Sequence, residues 1–490
     1  MRRGRKKKAG KTPRTLYATA SIIMIAMILV ALMFTLNTAN VQEALNAFMH
    51  PKTNATSYYC GIAVSEQQYN TLNSTGSYQF EGNPCHHYYI NGKIGAFNTV
   101  LSGGIDGPVT LYNSILLVPL EPPTYNYTSP SYYMPNMSAM WGGLAAVNAT
   151  TGGLIWQDNF TDPIMTQPLA VNGIVYVGSG SYFINTNGKQ NGIFAINITN
   201  GQIVWEIKTT NQNMPTFVYY NDSIIKISNL AAPLFNASVP DGALQAFDPL
   251  TGDLKWQVSL NALVAMSSPV LVGNTIYLGE YYQNNTNRGV VYAINADTHK
   301  IVWSTFFPKG ADRATQDTTL AIWNNTLIDG FAYTNPELPD QYQPTNLTLV
   351  GLDLTNGSIR WEFNEGVGVN TPRSMLPAST TYNNIAFTDT TEIGWLYALN
   401  MSTGKPLWKF HTGPSLPPPQ VIDGYVFAEN QTGTVFILDM NDTLYKTIDL
   451  GTPEGWCGSA SIAQIGDKVV FGGDDGRLIV LPISSLIAPD

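Results

Sequence analysis

The stretch GVVYAINADTHKIVW, residues 289–303, is one copy of a pattern that recurs along this chain. Its apolar residues alternate up to Asn295, as they do in a half-buried β-strand. The turn that follows offers side-chain acceptors, and most copies place a glycine at its end, where positive φ is tolerated. A second short strand then ends in Trp303. The stretch therefore predicts a β-hairpin that is closed by an indole.

Five other segments share this pattern, and the closing tryptophans lie between 47 and 58 residues apart. The copies are GLAAVNATTGGLIW (143–156), GIFAINITNGQIVW (192–205), GALQAFDPLTGDLKW (242–256), LTLVGLDLTNGSIRW (347–361) and GWLYALNMSTGKPLW (394–408). A period near 50 residues is typical of repeat architectures. One hairpin cannot bury its own apolar face, but a ring of such units can, and it leaves few open strand edges.

A second hairpin precedes each copy, so the repeating unit has four strands. Examples are PLAVNGIVYVG (168–178) and PVLVGNTIYLG (269–279), which are apolar pairs around a short polar turn. The units are 108–156, 165–205, 214–256, 265–303, 317–361, 375–408, 418–448 and 459–486. The last unit is one strand short, and residues 92–101 can supply that strand and close the ring. We predict an all-β, eight-bladed propeller of four-stranded blades over residues 92–486, with seven blades as the alternative.

The N-terminal region has the pattern of a membrane anchor. Residues 2–14 contain eight Lys and Arg residues and no acid, and residues 16–36 form 21 positions without a charge, enough to span a bilayer. We predict a cytoplasmic basic tail (1–15), a transmembrane signal anchor (16–36) and a stalk or cap (37–91) on the outer side. A cleaved secretory peptide is the alternative. Both interpretations place the propeller outside the cell.

The exterior portion is acidic but sparsely charged. Without the basic tail, 17 Lys and Arg residues face 34 Asp and Glu residues, yet only 12% of the whole chain is charged. Its polar surface is expected to be neutral, which suits an acidic medium, and about sixteen Asn-x-Ser/Thr sequons offer sites for glycans. An acidic exterior argues against nucleic acid as a partner.

Three cysteines are present, and outside the cell disulfides persist. We expect Cys60 and Cys85 to pair and staple the cap, which leaves Cys457 as a free thiol. Pairing of Cys457 with Cys60 or Cys85 remains the alternative. The run Cys85-His86-His87 lacks a second ligand pair at a recognised spacing, so no metal site is predicted there.

Charged residues are few in the exterior portion, and several of them lie in the linkers between units. Of its five arginines, Arg313 and Arg373 precede the first strands of consecutive units. Guanidinium groups suit delocalised oxyanions, so these linkers predict a site for a small anionic ligand. A solvated loop or a structural Arg–Asp pair is the alternative. The linker residues singled out are Lys309, Asp312, Arg313, Asp317, Arg373, His411, Trp456 and Cys457.

The repeat A-x-[Asn/Asp]-x-x-T-G-x-x-x-W resembles the tryptophan-docking motif of PQQ-type quinoprotein propellers. That superfamily includes quinoprotein dehydrogenases, non-catalytic scaffolds of outer-membrane assembly and the secreted tetrathionate hydrolases of acidophiles. The resemblance implies the propeller fold, in which the linkers between blades surround the mouth of a central funnel. It does not imply any single activity. The dehydrogenases carry an adjacent cysteine pair and a calcium set of Glu, Asn and Asp. This sequence has no adjacent cysteines, so it argues against PQQ, and no cofactor is expected.

Three hypotheses for function follow from the resemblance, and the first is hydrolysis of an inorganic sulfur oxyanion. Arg313, Arg373 and Lys309 would bind the sulfonates of a dianion such as tetrathionate, in a funnel that Trp456 and His411 also line. Asp312 or Asp317 would act as general base on water. Cys457, if free, could attack a sulfur–sulfur bond, provided that nearby cations depress its thiol pKa.

The second hypothesis is a non-catalytic cell-surface scaffold that binds protein or glycan. The Tyr- and Pro-rich insertions at residues 119–140 and 335–343 would present aromatic contacts or a homodimer interface. The third is a PQQ-dependent dehydrogenase, against which the missing cysteine pair argues.

Overall fold

We analysed a computed structural model of the chain, in which the described residues belong to one compact unit, Thr56–Asp490. They are 63–64, 89–90, 94–105, 107–122, 141–164, 167–180, 191–209, 213, 217–229, 242–260, 262, 268–282, 288–308, 320–333, 344–369, 379–389, 394–413, 415, 417–430, 432–450 and 462–487. Within these ranges no helix is long and apolar enough to cross a membrane. The predicted anchor at 16–36 and the Cys60–Cys85 disulfide lie outside the described residues.

Eight sheets account for the described strands, which confirms the prediction of eight blades rather than seven. Blades 1 to 4 consist of β4 (Thr110–Tyr112), β5 (Ile115–Leu120), β6 (Gly142–Asn148) and β7 (Leu154–Phe160); β8 (Leu169–Val171), β9 (Ile174–Gly178), β10 (Asn191–Asn197) and β11 (Ile203–Thr209); β12 (Val218–Tyr220), β13 (Ser223–Asn229), β14 (Gly242–Phe247) and β15 (Leu254–Ser259); and β16 (Val270–Val272), β17 (Thr275–Tyr282), β18 (Arg288–Asn295) and β19 (Lys300–Phe306). Within each blade, neighbouring strands are antiparallel.

Blades 5 to 8 repeat this plan. They consist of β20 (Ala321–Trp323), β21 (Thr326–Tyr333), β22 (Pro344–Asp353) and β23 (Ile359–Val369); β24 (Ser379–Tyr382), β25 (Ile385–Asp389), β26 (Trp395–Asn400) and β27 (Pro406–His411); β28 (Gln420–Ile422), β29 (Tyr425–Glu429), β30 (Thr434–Leu438) and β31 (Leu444–Asp449); and β32 (Ala463–Ile465), β33 (Lys468–Gly472), β34 (Arg477–Pro482) and β3 (Phe97–Val100). A short helix, α1 (Ile483–Leu486), follows β34.

Strand β3 closes the ring, as the sequence predicted. It pairs antiparallel with β34, from Phe97 opposite Val480 to Val100 opposite Arg477, and so completes blade 8 with residues from before blade 1. The shared strand ties the start of the propeller to its end. Because β3 pairs with β34, the edge of β34 does not stay open for pairing with other chains.

The innermost strand of each blade is its first. These strands are largely buried, whereas the fourth strands are mostly exposed, and the first strands of neighbouring blades contact each other (β4 with β8, β20 with β24). Two short strands of the predicted cap, β1 (Ala63–Val64) and β2 (Tyr89–Ile90), extend blade 1 on that inner side. Strand β2 pairs parallel with β4, and β1 pairs with β2. Part of the cap segment therefore lies on the axial side of blade 1.

The tryptophans join one blade to the next. The indole Nε1 of Trp361 donates to the carbonyl oxygen of Met401 at 2.8 Å, and Trp156 donates in the same way to Ile198 at 2.8 Å. The turn glycine of the next blade lies against the ring: Gly404, at φ +67°, would place a Cβ in the Trp361 indole. Each Trp thus docks on the turn of the following repeat, as the motif predicted.

Candidate functional site

One face of the propeller carries both the linkers and an unusual set of buried ionisable groups. Because the strands of a blade alternate in direction, the ends of the second and fourth strands lie on the same face, which we call the linker face. The tight hairpin turns, such as Asn172-Gly173 and Asn148–Gly152, lie on the opposite face. The linkers that the sequence singled out connect fourth strands to first strands, so their described flanks belong to the linker face.

Lys226 is the buried cation of this face. It lies on β13 and is 0% exposed, and its Nζ donates to Asn213 Oδ1 at 2.7 Å. Asn213 is held in turn by its own Nδ2, which donates to Thr209 Oγ1 at 2.7 Å. Burial lowers the pKa of Lys226 to about 7, because removal from water disfavours the charged ammonium.

Glu280 and Asp329 are buried carboxyls on the second strands of blades 4 and 5. Burial raises the pKa of Glu280 well above its ordinary value, and the charge of Asp329 adds to the increase. One carboxylate oxygen of Asp329 accepts a hydrogen bond from the backbone N–H of Gly330 at 2.7 Å. The two side chains are therefore coupled, and Glu280 favours its neutral form.

Glu365 lies between blades 5 and 6. It is the extra residue of a β-bulge in β23, because Asn364 pairs with Thr348 and Gly366 pairs with Leu347. The side chain is 6% exposed, and burial, with the charge of Asp389 as a smaller cause, raises its pKa to about 8. This group is therefore a neutral carboxylic acid in acidic solution.

Asp389 faces the same region from blade 6. Its Oδ1 accepts a hydrogen bond from the hydroxyl of Thr412 at 3.2 Å. Asn430, after the second strand of blade 7, donates from Nδ2 to the carbonyl oxygen of Thr412 at 2.9 Å. Hydrogen bonds on this face thus connect blades 6 and 7, and the charge of Asp389 acts on Glu365 of blade 5.

Most of the linker residues that the sequence singled out lie outside the described residues: Lys309, Asp312, Arg313, Asp317, Arg373, Trp456 and Cys457. His411 is described. It is exposed at the end of β27, with its imidazole edge-on to the Trp395 ring at 5.0 Å between centroids. The structure therefore places His411 on the linker face, against an aromatic neighbour, and leaves the other assignments as predictions.

Sequence reasoning did not identify Lys226, Glu280, Asp329, Glu365 or Asp389 as site residues. A signal was present, because a charge interrupts the apolar run of the second strand in SIIKIS (223–228) and TLIDGF (326–331). In an ordinary two-faced sheet such a residue would point to water. In a propeller the neighbouring blade covers it.

The sequence comparisons agree with this architecture. A family model described as outer membrane protein assembly factor BamB matches residues 139–318, 240–383 and 345–485, well over half of the chain. The chain belongs to this PQQ-like propeller family. The family includes proteins with different tasks, so membership establishes the repeat and the fold but no activity.

Two curated relatives share part of the propeller. Tetrathionate hydrolase of Acidithiobacillus ferrooxidans is 26% identical over 286 residues, which cover 57% of this chain and 53% of that protein. BamB of Yersinia pestis is 24% identical over 275 residues, which cover 50% of this chain and 63% of that protein. The matches thus span between about half and two thirds of these relatives.

Among solved structures, the quinohemoprotein alcohol dehydrogenase of Comamonas testosteroni superposes with a TM-score of 0.55 at 13% identity. The match covers 79% of this chain and 76% of that one. At this identity the likeness concerns the fold alone. Within the described ranges, no three His, Cys, Asp or Glu side chains converge as metal ligands.

The arrangement has a simple electrostatic consequence. Burial lowers the pKa of Lys226 to about 7 and raises the pKa of Glu280 and of Glu365, so acid favours a charged Lys226 and neutral glutamates. Acid therefore makes the buried part of the linker face more positive. A face with this property attracts anions rather than repelling them.

Proposed function

We propose that this chain is a cell-envelope hydrolase of an inorganic sulfur oxyanion, similar to tetrathionate hydrolase. In this proposal residues 16–36 anchor the chain and the propeller lies outside the membrane. The observation that carries the proposal is the burial of Lys226, Glu280 and Glu365 on the linker face, which favours a charged lysine and neutral glutamates in acid. The partial similarity to a tetrathionate hydrolase supports the same substrate class.

Binding of the dianion is assigned to the cationic linker residues. Arg313, Arg373 and Lys309 would contact the terminal sulfonates, because guanidinium and ammonium groups form charge-assisted hydrogen bonds to such oxygens. His411 and Trp456 would contribute to the wall of the site. His411 is the described member of this group, and it lies exposed at the end of β27 beside Trp395.

The chemical step is assigned to the remaining linker residues. Asp312 or Asp317 would take a proton from the attacking water. Alternatively, the Cys457 thiolate would displace at a sulfur–sulfur bond and release the other half of the substrate as a thiosulfate-type leaving group. Neither route requires a bound cofactor.

The test is turnover by the purified full-length protein with a panel of sulfur oxyanions between pH 2 and 7. Release of thiosulfate or elemental sulfur from tetrathionate supports the proposal, and a double variant, Arg313→Ala with Arg373→Ala, should lose most of that activity. A matched Arg360→Ala variant, which removes an arginine paired with Asp353, should retain it. Turnover that is indifferent to the double substitution would contradict the assigned anion site.

A second candidate is a non-catalytic scaffold, and an independent observation favours it. Apolar side chains at the start of the fourth strands are exposed on successive blades, among them Leu154, Ile203, Leu254, Val302 and Leu407. Exposed apolar groups on one rim are typical of contact surfaces. Cross-linking in intact membranes, followed by affinity capture, would recover a stoichiometric partner if this function holds. Recovery of the propeller alone, together with tetrathionate turnover, would exclude it.

A further inference from the structure

The seam between blades 2 and 3 contains a buried cation that lacks a described acidic partner. Lys226 Nζ has Asn213 Oδ1 at 2.7 Å and lies over the Phe217 ring, 5.7 Å from its centroid. An ammonium carries three N–H donors, and the amide oxygen accepts one of them. Fully buried lysines are rare unless an anionic group balances their charge.

No described carboxylate faces Lys226 from the strands packed around it. Strands β10 and β14 contain no titratable side chain, and the titratable groups of β9 and β12 on this side are Tyr176 and Tyr219. Burial raises the pKa of both phenols, that of Tyr219 to about 12, so both are neutral. On β11, Glu206 and Lys208 alternate with the residues that face the seam, and both are exposed.

The carboxylates nearest to these phenols belong to the opposite end of the blade. Asp222 accepts the Tyr219 hydroxyl at 2.7 Å from the turn between β12 and β13, and Asp248 lies in the turn after β14. Lys226 lies farther along β13, toward the linker face. Burial is accordingly the cause of its lowered pKa, with no charged partner among the causes.

Other polar groups in the seam also lack partners. Ser228 is on the same side of β13 as Lys226, two residues further on, and its buried Oγ has no hydrogen-bond partner. Across the seam, Asn191 lies on the same side of β10 as Ile193, which packs with Phe217 and Ile224 of blade 3. The buried Oδ1 of Asn191 has no partner either, and as an acceptor it is a competitor for the Lys226 donors rather than a ligand for an anion. Buried polar atoms are nearly always satisfied, so something is expected to occupy this seam.

We infer that the seam between blades 2 and 3 binds a small inorganic anion, held by the Lys226 ammonium and the Ser228 hydroxyl. The ammonium donors left over from Asn213 and the hydroxyl proton would point to it. Its negative charge would balance the buried cation. This site includes none of the linker arginines assigned to substrate, and its occupancy does not depend on turnover.

The direct test is a crystal of the full chain grown at pH 5.5 and soaked in sodium bromide. An anomalous bromine peak within about 3.5 Å of Lys226 Nζ and Ser228 Oγ would support the inference. A water molecule or the Asn191 amide on Nζ, without anomalous signal, would overturn it. Because the soak contains no sulfur oxyanion substrate, failure here says nothing against hydrolase activity, and failure of turnover says nothing against this site.

A solution test uses thermal unfolding with chloride or sulfate, at an ionic strength held constant with sodium gluconate, a bulky anion. At pH 5.5 a saturable rise in Tm of roughly 2–5 °C is expected in the wild type. Lys226→Met should abolish the rise, and Ser228→Ala should weaken the apparent affinity several-fold. Lys208→Met, which removes an exposed lysine of β11, should behave like the wild type.

The pH dependence gives a further readout that needs no substitution. Anion binding stabilises the charged ammonium, so the rise in Tm should be present below the pKa of Lys226 and absent at pH 9. An anion effect of equal size at both pH values, or one that persists in Lys226→Met, would indicate non-specific salt effects and would contradict the site.

Discussion

At the residue scale, a glycine under an indole fixes how one blade meets the next. Gly201, Gly252, Gly357 and Gly404 each lie at positive φ against the closing tryptophan of the preceding blade. The contact requires both the left-handed backbone and the missing Cβ. Where blade 4 has His299 instead, at φ +55°, the imidazole stacks on Trp256 with 4.4 Å between ring centroids. A stacked ring thus takes the place that glycine leaves open elsewhere.

A matched pair of alanine substitutions separates the two requirements. Gly404→Ala adds both backbone strain and an overlap with the Trp361 ring, whereas Gly424→Ala, at φ +78°, adds strain alone because nothing lies within 4 Å. We expect about 1–2 kcal/mol of destabilisation from Gly424→Ala. Gly404→Ala should cost about 1–3 kcal/mol more. Urea unfolding monitored by tryptophan fluorescence measures both, and equal losses would show that the indole contact contributes nothing.

At the element scale, local patterns predicted the hairpins but not the environment of the charges within them. Strand alternation, Asx turns such as that of Asn148, and the closing indole are set by neighbours in sequence, so they could be recognised there. Burial of Lys226 is set by a different blade, because SIIKIS reads equally well as a strand with a solvent-facing lysine. The same holds for Glu365, whose bulge depends on its register with β22.

The bulge in β23 should make the propeller acid-tolerant. The folded pKa of Glu365, about 8, is above its ordinary value of 4.5, so its contribution to stability is complete below pH 4.5 and is lost as pH rises through 8. Ionisation would also add a second negative charge that interacts with Asp389 and with the Tyr397 phenol. Glu365→Gln keeps the shape of the side chain but cannot ionise. Between pH 5 and pH 9 the free energy of unfolding should therefore fall less in the variant than in the wild type, by at most roughly 5 kcal/mol.

Urea unfolding of the wild type and Glu365→Gln at pH 5, 7 and 9 measures this effect. Glu362→Gln provides the control, because Glu362 is an exposed glutamate on the same strand and should leave the profile of the wild type unchanged. If Glu365→Gln loses stability at pH 9 just as the wild type does, the carboxyl is not the group that ionises.

At the scale of the whole molecule, the ring depends on a strand from its other end. Strand β3 completes blade 8, and Phe97 packs with the core shared by blades 1 and 8. A chain that begins at residue 103 should therefore unfold at lower denaturant and aggregate through the exposed edge of β34. A chain that begins at residue 91 keeps β3 and should unfold near the wild-type midpoint. Equal midpoints for the two truncations would contradict closure by β3.

The whole molecule also shows where sequence reasoning stops. The number of blades and their closure were predictable, because each repeat specifies its own hairpins and the ring is what buries them. The activity was not, because the family combines one fold with several functions. The cationic linker residues singled out by the sequence lie outside the described part of the chain, whereas the buried ionisable groups of the second strands and of β23 are described.

The most direct test of the proposed hydrolase function is the rate of thiosulfate release from tetrathionate by the wild-type, full-length protein as a function of pH. We predict turnover in acidic solution that declines as pH rises past about 7 to 8, where Lys226 loses its charge and Glu365 gains one. The absence of thiosulfate and sulfur at every pH from 2 to 9, with a protein that remains folded, would contradict it.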